Sequence, residues 1–270
     1  LDGSPAQKAG ILPKDAIVKI DGQSTLDMSV DEAVKRIRGK HGTSVTLTLY
    51  RSGRNETFDL TIVRDKIEIK SVKLSVKEIN NKKIAVLAIS RFGDDTKAAF
   101  AKAINEIISQ KADGLVLDLR NDPGGYLEVA VDVASAWLPK GKVVVTEERS
   151  QGDNLVYNST GLNTLANLKT VVLINGGSAS AAEILAGALR DHNIAQLYGE
   201  KSFGKGSVQE LIDLPDKKSA VKVTVAKWIT PGGKNLNKEG LHPDVEVKLT
   251  EDDIKNSRDP QLDKALQSFQ

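Results

Sequence analysis

Thr170-Val-Val-Leu-Ile174, followed by Asn175-Gly-Gly-Ser-Ala-Ser-Ala-Ala-Glu183, Ile184 to Leu189 and Ala195-Gln-Leu-Tyr198, reads as strand, turn, helix and strand. Five consecutive apolar or β-branched residues suit a buried strand. The glycine pair lets the chain turn sharply. The apolar run beyond it has the length of a helix, and a second strand closes the unit. Outward from this point the same alternation repeats, the signature of an α/β layer domain. Upstream, Lys83 to Ile89 is a predicted strand. Thr96 to Gln110 is a helix with Ala99, Phe100, Ala103, Ile104, Ile107 and Ile108 on one stripe. Gly114-Leu-Val-Leu-Asp-Leu119 is a buried strand and Arg120-Asn-Asp-Pro-Gly-Gly125 a sharp loop. Leu127 to Leu138 reads as a helix and Val143 to Thr146 as a strand. Downstream, Gly206 to Leu214 and the alternating Ala220 to Ile229 read as strands. The polar Gln151 to Leu168 reads as a loop or a cover over a cleft. The charged tail from Thr250 ends in a short helix, Gln261 to Phe269, docked on the core or used in a larger assembly.

Residues 1 to about 66 follow a different pattern, that of a small β-rich module. Ser4 to Gly10 is a helical turn closed by glycine, Ile11-Leu-Pro-Lys-Asp15 a turn and Ala16-Ile-Val-Lys-Ile20 a strand. Asp21-Gly22 is a hairpin signal. Ser29-Val-Asp-Glu32 is a capping box opening a helix that stops at Gly39. Two strands follow, Ser44 to Tyr50 and Glu56 to Val63, joined through Ser52-Gly53. Val45, Leu47 and Leu49 alternate with Thr46, Thr48 and Tyr50, so one face is buried.

At 270 residues the chain is long enough for two domains. The expected divisions are 1–66, 67–250 and a tail, 251–270. A formal charge of +2 and no basic stripe argue against nucleic acid as a partner. No apolar run approaches the roughly 20 residues that span a bilayer. The chain opens on Leu1-Asp-Gly-Ser-Pro without an initiator methionine or a leader, and so reads as a piece of a longer protein. It has no cysteine, which excludes disulfides, thiolate metal sites and a cysteine nucleophile, and suits an exported protein.

The chemistry centres on Ser180. Taken alone, Ser180-x-x-Glu183 is also a capping box, whose serine does no more than start a helix. Its setting points further. A serine at a helix start, behind Gly176-Gly177, sits beside free backbone N–H groups and the positive end of the helix dipole. The N–H of Ala181 is placed to receive an oxyanion, and the Asp122-Pro-Gly-Gly125 loop can supply a second donor from Gly125. A serine hydroxyl also needs a base. Of the three histidines, His41 falls in a turn, His242 in a loop and His192 past the far end of the helix that Ser180 begins. A lysine base is the economical alternative, and Lys205 lies in Gly199-Glu-Lys-Ser-Phe-Gly-Lys-Gly-Ser-Val-Gln209. Strand periodicity puts Lys205, Ser207 and Gln209 on one face, where the Gln209 carbonyl can hold the amine. The same stretch nearly spells a phosphate-binding loop, but Gly206 follows where serine or threonine is needed. In isolation, a solvated surface lysine is the plainer reading of Lys205. No metal or cofactor is called for.

The first module resembles a bacterial-type PDZ domain in Ser-Pro-Ala-x-x-Ala-Gly-Ile, Asp15-Ala-Ile-Val-Lys-Ile-Asp-Gly22 and the helix ending Arg-Ile-Arg-Gly39. The usual first strand and carboxylate-binding loop precede such a match and are not in this chain. The remainder resembles the tail-specific, or C-terminal processing, serine peptidases. The matching stretches are Leu117 to Gly125, Gly176 to Ile184, Gly199 to Gln209, Ile229-Thr-Pro-Gly-Gly-Lys234 and Gly240-Leu-His-Pro-Asp244. The resemblance implies a mixed α/β (α+β) chain, an N-terminally truncated PDZ domain followed by a crotonase-like α/β protease core. It implies Ser180 as nucleophile rather than Ser178, Lys205 as general base, Gln209 as its orienter, and Gly125 and Ala181 as oxyanion donors. It further implies protein substrates with exposed apolar C-terminal tails, an exported location (envelope, extracellular or thylakoid lumen) and no cofactor. Self-association would run through an N-terminal segment or the tail. The alternatives on the same fold are a non-catalytic or conditionally inactive PDZ adaptor that binds tails and, more distantly, an acyl-CoA enzyme.

Overall fold

The computed structural model describes residues 4–12, 15–66, 70–215 and 219–270. Part of the turn expected over 11–15 and the boundary expected near residue 67 lie outside the described residues. The chain forms two compact units, Leu1–Ile69 and Lys70–Gln270.

In the first unit, α1 (Pro5–Lys8) is capped by Ser4, whose hydroxyl accepts the Gln7 N–H at 3.2 Å. Strands β1 (Ala16–Ile20) and β2 (Gln23–Ser24) form the hairpin at Asp21-Gly22. Helix α2 (Val30–Ile37) starts at its serine cap, and β3 (Ser44–Tyr50) and β4 (Phe58–Val63) complete an antiparallel sheet of order β2-β1-β3-β4. The alternation in β3 works as expected: Val45, Leu47 and Leu49 are buried with Ile20 and Ile62.

The second unit is built on a six-stranded sheet. Its elements are β5 (Val72–Ile79), β6 (Lys82–Ile89), α3 (Thr96–Ser109), β7 (Gly114–Asp118), α4 (Leu127–Ala134), β8 (Val143–Arg149), β9 (Leu155–Asn158), β10 (Thr170–Ile174), α5 (Ala181–Asp191), β11 (Ala195–Gly199), β12 (Ser207–Asp213), β13 (Ala220–Ile229), β14 (Val245–Glu246), α6 (Glu251–Lys255) and α7 (Pro260–Gln267). The large sheet has the order β14-β11-β10-β7-β6-β5. All its neighbours run parallel except β5, which is antiparallel to β6. Alternate residues of each strand serve two cores. Ala85, Leu87, Leu115, Leu117, Val172 and Ile174 pack with α3, α4 and α5. Ile84, Val86, Val116, Val171 and Leu173 pack with Ala265, Leu266 and Phe269 at the end of the chain. Phe269 presses on the sheet where a Cβ at Gly114 would stand 2.4 Å from its ring. A second, antiparallel sheet has the order β12-β13-β8-β9.

Several details differ from the sequence reading, including Ile108, which is exposed rather than on the buried stripe, and the unexpected α6. Gln151 to Leu168 is not all loop, because Leu155–Asn158 pairs with β8 as an edge strand. The helix beginning at Leu127 ends at Ala134 and gives way to turns before Leu138. Val72–Ile79 is an edge strand that the reading passed over: Val72 and Leu74 turn to the core while Lys73, Ser75 and Lys77 alternate onto the exposed face.

Candidate active site

In an open parallel sheet, the loops beyond the carboxyl ends of the strands form the natural site. Three such loops meet here, from the adjacent strands β7, β10 and β11. The loop after β10 carries Ser180. Asn175 shapes its start: its side-chain oxygen accepts the N–H groups of Asn121 (2.9 Å) and Gly177 (3.0 Å). Ser178 is buried and its hydroxyl donates to the Leu119 carbonyl at 2.8 Å, so this neighbouring serine is a structural tie. Ser180 is half-buried and caps α5 with φ 54° and ψ −117°. A positive φ at a non-glycine residue costs about 1–3 kcal/mol and marks a strained turn. It is also the kind of strand-to-helix turn that raises a nucleophilic serine above a sheet.

The loop after β7 closes onto that turn. Gly124 has φ +95°, and a Cβ there would lie 2.7 Å from Ala179 O, 2.8 Å from Ser180 Cβ and 2.9 Å from Ala181 N. Only a glycine lets this backbone lie flat against the Ser180–Ala181 bond. Gly125 is held by a bridge to Phe92: the Phe92 N–H donates to Gly124 O, and the Tyr126 N–H donates to Phe92 O. The N–H of Gly125 and that of Ala181, at the first position of α5, meet no protein acceptor among the described residues. Free donors of this kind are what an oxyanion hole needs.

The loop after β11 brings Lys205. Glu183, fully buried one turn into α5, binds it from below. One carboxylate oxygen accepts from the Ser202 hydroxyl (2.5 Å) and the Gly204 N–H (2.7 Å). The other accepts from the Ser180 N–H (2.9 Å) and the Lys205 N–H (2.9 Å). A single side chain thus ties the backbones of Ser180 and Lys205 to one anion. Sequence reasoning saw Glu183 only as the far half of a capping box. The loop is backed from outside by Leu236 to Gly240: a Cβ on Gly206 would stand 2.0 Å from Asn237 N, and the Lys238 N–H donates to Gly204 O at 2.8 Å.

The expected one-face strand over Lys205, Ser207 and Gln209 needs correction. The strand starts at Ser207, and Lys205 lies in the irregular loop ahead of it because its N–H is spent on Glu183. The pairing with β13 shifts register between Val208 and Gln209. The side chains of Lys205 and Gln209 are exposed, and no hydrogen bond joins Ser180 Oγ to Lys205 Nζ among the described residues. The histidines stay apart from Ser180. His192 caps the opposite end of the eleven-residue α5, about 16 Å away, and bonds to the Val143 carbonyl. His41 pairs with Asp65 in the other unit. No cluster of potential metal ligands occurs among the described residues.

Behind the β7 loop, Arg120 joins Asp118 (2.7 Å), Asp259 (2.8 Å) and Gln261 (3.0 Å), clasping α7 to the strand that feeds the Gly124–Gly125 loop. Burial works against the charge of Arg120, but its bonds to Asp118 and Asp259 outweigh it and hold the guanidinium above its ordinary value. This clasp was not legible in the sequence, where its ends lie 139 and 141 residues apart.

Residues 83–247 match the model of peptidase family S41, and residues 1–51 that of the PDZ domain. The chain belongs to peptidase family S41. The "probable CtpA-like serine protease" of Staphylococcus aureus is 41% identical over 248 residues, 92% of this chain and 49% of its own length. That of Staphylococcus haemolyticus is 40% identical over 245 residues, 90% of this chain and 48% of its own. The chain therefore spans about half the length of the curated relatives it matches. Among solved structures, a photosystem II D1 C-terminal processing protease shares 35% identity with a TM-score of 0.66, covering 91% of this chain and 66% of that one. The S41 chain is thus of mixed α/β class, with a PDZ domain and a protease core. No helix among its described residues is long and apolar enough to cross a membrane.

Proposed function

We propose that this S41 chain carries the catalytic core of a serine endopeptidase of the C-terminal processing type. The observation that carries the reading is the strained Ser180 cap, with the Gly124 backbone against it and Glu183 tying it to Lys205. In the proposed mechanism, neutral Lys205 takes the Ser180 proton as the hydroxyl oxygen attacks the scissile carbonyl carbon. The carbonyl oxygen becomes an oxyanion received by the N–H groups of Gly125 and Ala181. As the tetrahedral adduct collapses and the C–N bond breaks, the lysine ammonium returns its proton to the leaving amine. Water, deprotonated by Lys205, then hydrolyses the acyl-serine. Gln209 orients the amine.

Substrates are proteins with exposed apolar C-terminal tails, offered to the PDZ domain as an added strand. The expected setting is outside the cytoplasm, and self-association runs through an N-terminal segment or through the C-terminal tail. Ser180→Ala and Lys205→Ala each abolish cleavage of an unfolded protein with an apolar tail, scored by mass spectrometry of the products. Full activity in either variant overturns the reading. One observation favours a second reading, an enzyme or adaptor that is silent until a partner docks: Lys205 is exposed and unbonded to Ser180. Tail binding by a wild type that never forms an acyl-serine would support that alternative.

A further inference from the structure

The oxyanion loop contains a carboxyl group that the mechanism above does not use. Asp122 has no exposed surface. Its main chain is tied on both sides of the site: the Asp122 carbonyl accepts the Ala179 N–H at 2.9 Å, and its own N–H donates to the Leu119 carbonyl at 3.3 Å. Its Oδ1 accepts the Gly124 N–H at 2.7 Å, which sets the turn that lays Gly124 against Ser180. Its Oδ2 is buried with no hydrogen-bond partner. The elements around it do carry charge: Arg91 and Asp95 before α3, Asp118 at the end of β7, Arg120 on its own loop, Glu183 on α5, and Lys201 and Lys205 beyond β11. None of these bonds to it or acts on its charge; they are engaged elsewhere or turned to solvent. A carboxylate with one donor and one orphaned oxygen costs far more to bury than the neutral acid, whose single unpaired O–H carries no charge. Burial accordingly pushes the group up to about 7, against the opposing pull of the Gly124 N–H.

We infer that Asp122 is a positioning residue that works as the neutral acid, bracing the Gly124–Gly125 turn against Ala179–Ser180 so that the Gly125 N–H faces the developing oxyanion. Ionised, the same side chain puts an unpaired negative charge under the place where negative charge must form, with no second protein donor on Oδ2. Activity is therefore lost as pH rises through the titration of Asp122. The inference deepens the Ser180/Lys205 reading and rests on it.

Two measurements on the whole chain test it. In protein labelled with 15N-glycine, the amide signals of Gly124 and Gly125 titrate with a midpoint near pH 7 in the wild type and stay still in Asp122→Asn, which keeps the Oδ1 acceptor and cannot ionise. In pH–rate profiles, whatever the variant's level at pH 6, the ratio of Asp122→Asn to wild type rises about tenfold for each pH unit above 7. Glycine signals that do not titrate, or profiles that run parallel from pH 6 to 9, overturn the assignment. If the wild type is no more active than Ser180→Ala, the Ser180 reading fails instead, and the glycine titration by itself upholds or overturns the neutral brace.

Discussion

Two helices in this chain open on the same four-residue pattern, Ser29-Val-Asp-Glu32 and Ser180-Ala-Ala-Glu183, and come to different ends. Ser29 is an ordinary cap: φ is −67°, and its hydroxyl accepts the Glu32 N–H at 3.2 Å. Its glutamate reaches along the exposed surface to Arg36, one turn on, at 2.7 Å. Ser180 has φ 54°, and its glutamate is sealed in the core with four donors on its two oxygens. The pattern sets where a helix starts. What the serine can do is set by the chain that returns over it: Gly124 on one side and the Ser202–Lys205 loop on the other.

The largest expected contrast comes from removing the two glutamates. Glu183→Ala leaves three backbone N–H groups and the buried Ser202 hydroxyl without their acceptor. It costs about 3–5 kcal/mol in urea unfolding, and proteolysis falls with it as Ser180 and Lys205 lose their common tie. Glu32→Ala removes one exposed ion pair and costs less than about 0.5 kcal/mol. Similar losses at the two positions would break the comparison.

That contrast also marks where the sequence stops being readable. Local signals carried far: the apolar runs at Gly114–Leu119 and Thr170–Ile174, the cap at Ser29, and the glycine-rich turn ahead of Ser180 all form the elements they suggest. The edge strands were harder. Val72–Ile79 carries alternating lysines and serine, and Leu155–Asn158 is short and polar-flanked; each becomes a strand only because a partner lies alongside. Contacts between distant residues were invisible. Glu183 finds three of its four donors 19 to 22 residues downstream, and Arg120 meets Asp259 across 139. Ser180 could be singled out because a glycine turn and a helix start are local facts. The buried carboxyls Asp122 and Glu183 could not, because burial is a property of the whole fold.

A smaller effect on stability, but a large one on rate, separates the glycines that serve the two modules. Gly124→Ala drives a methyl into Ala179 O, Ser180 Cβ and Ala181 N, so the oxyanion loop must retreat and the rate of peptide cleavage falls about 10²–10³-fold. Gly22→Ala in the first unit has a comparable left-handed φ of +80° but open space around it. It costs about 1 kcal/mol of backbone strain and nothing in rate. Circular dichroism melts and initial rates on the two variants separate strain alone from strain plus a steric block.

The subtlest test makes the same substitution in both boxes and reads only its sign. At residue 29 the backbone is extended, and serine contributes a cap oxygen at no conformational cost. Ser29→Gly therefore loses a few tenths of a kcal/mol. At residue 180 the wild-type chain holds a side chain at positive φ, a conformation glycine adopts freely. Relief of about 1–3 kcal/mol of strain is set against less than about 1 kcal/mol of extra freedom in the unfolded chain. Ser180→Gly is thus expected to stabilise by about 1 kcal/mol while removing the proposed nucleophile, the pattern of a position kept strained for its chemistry. Destabilisation at both positions would make Ser180 a cap like Ser29 and remove strain from the case for catalysis.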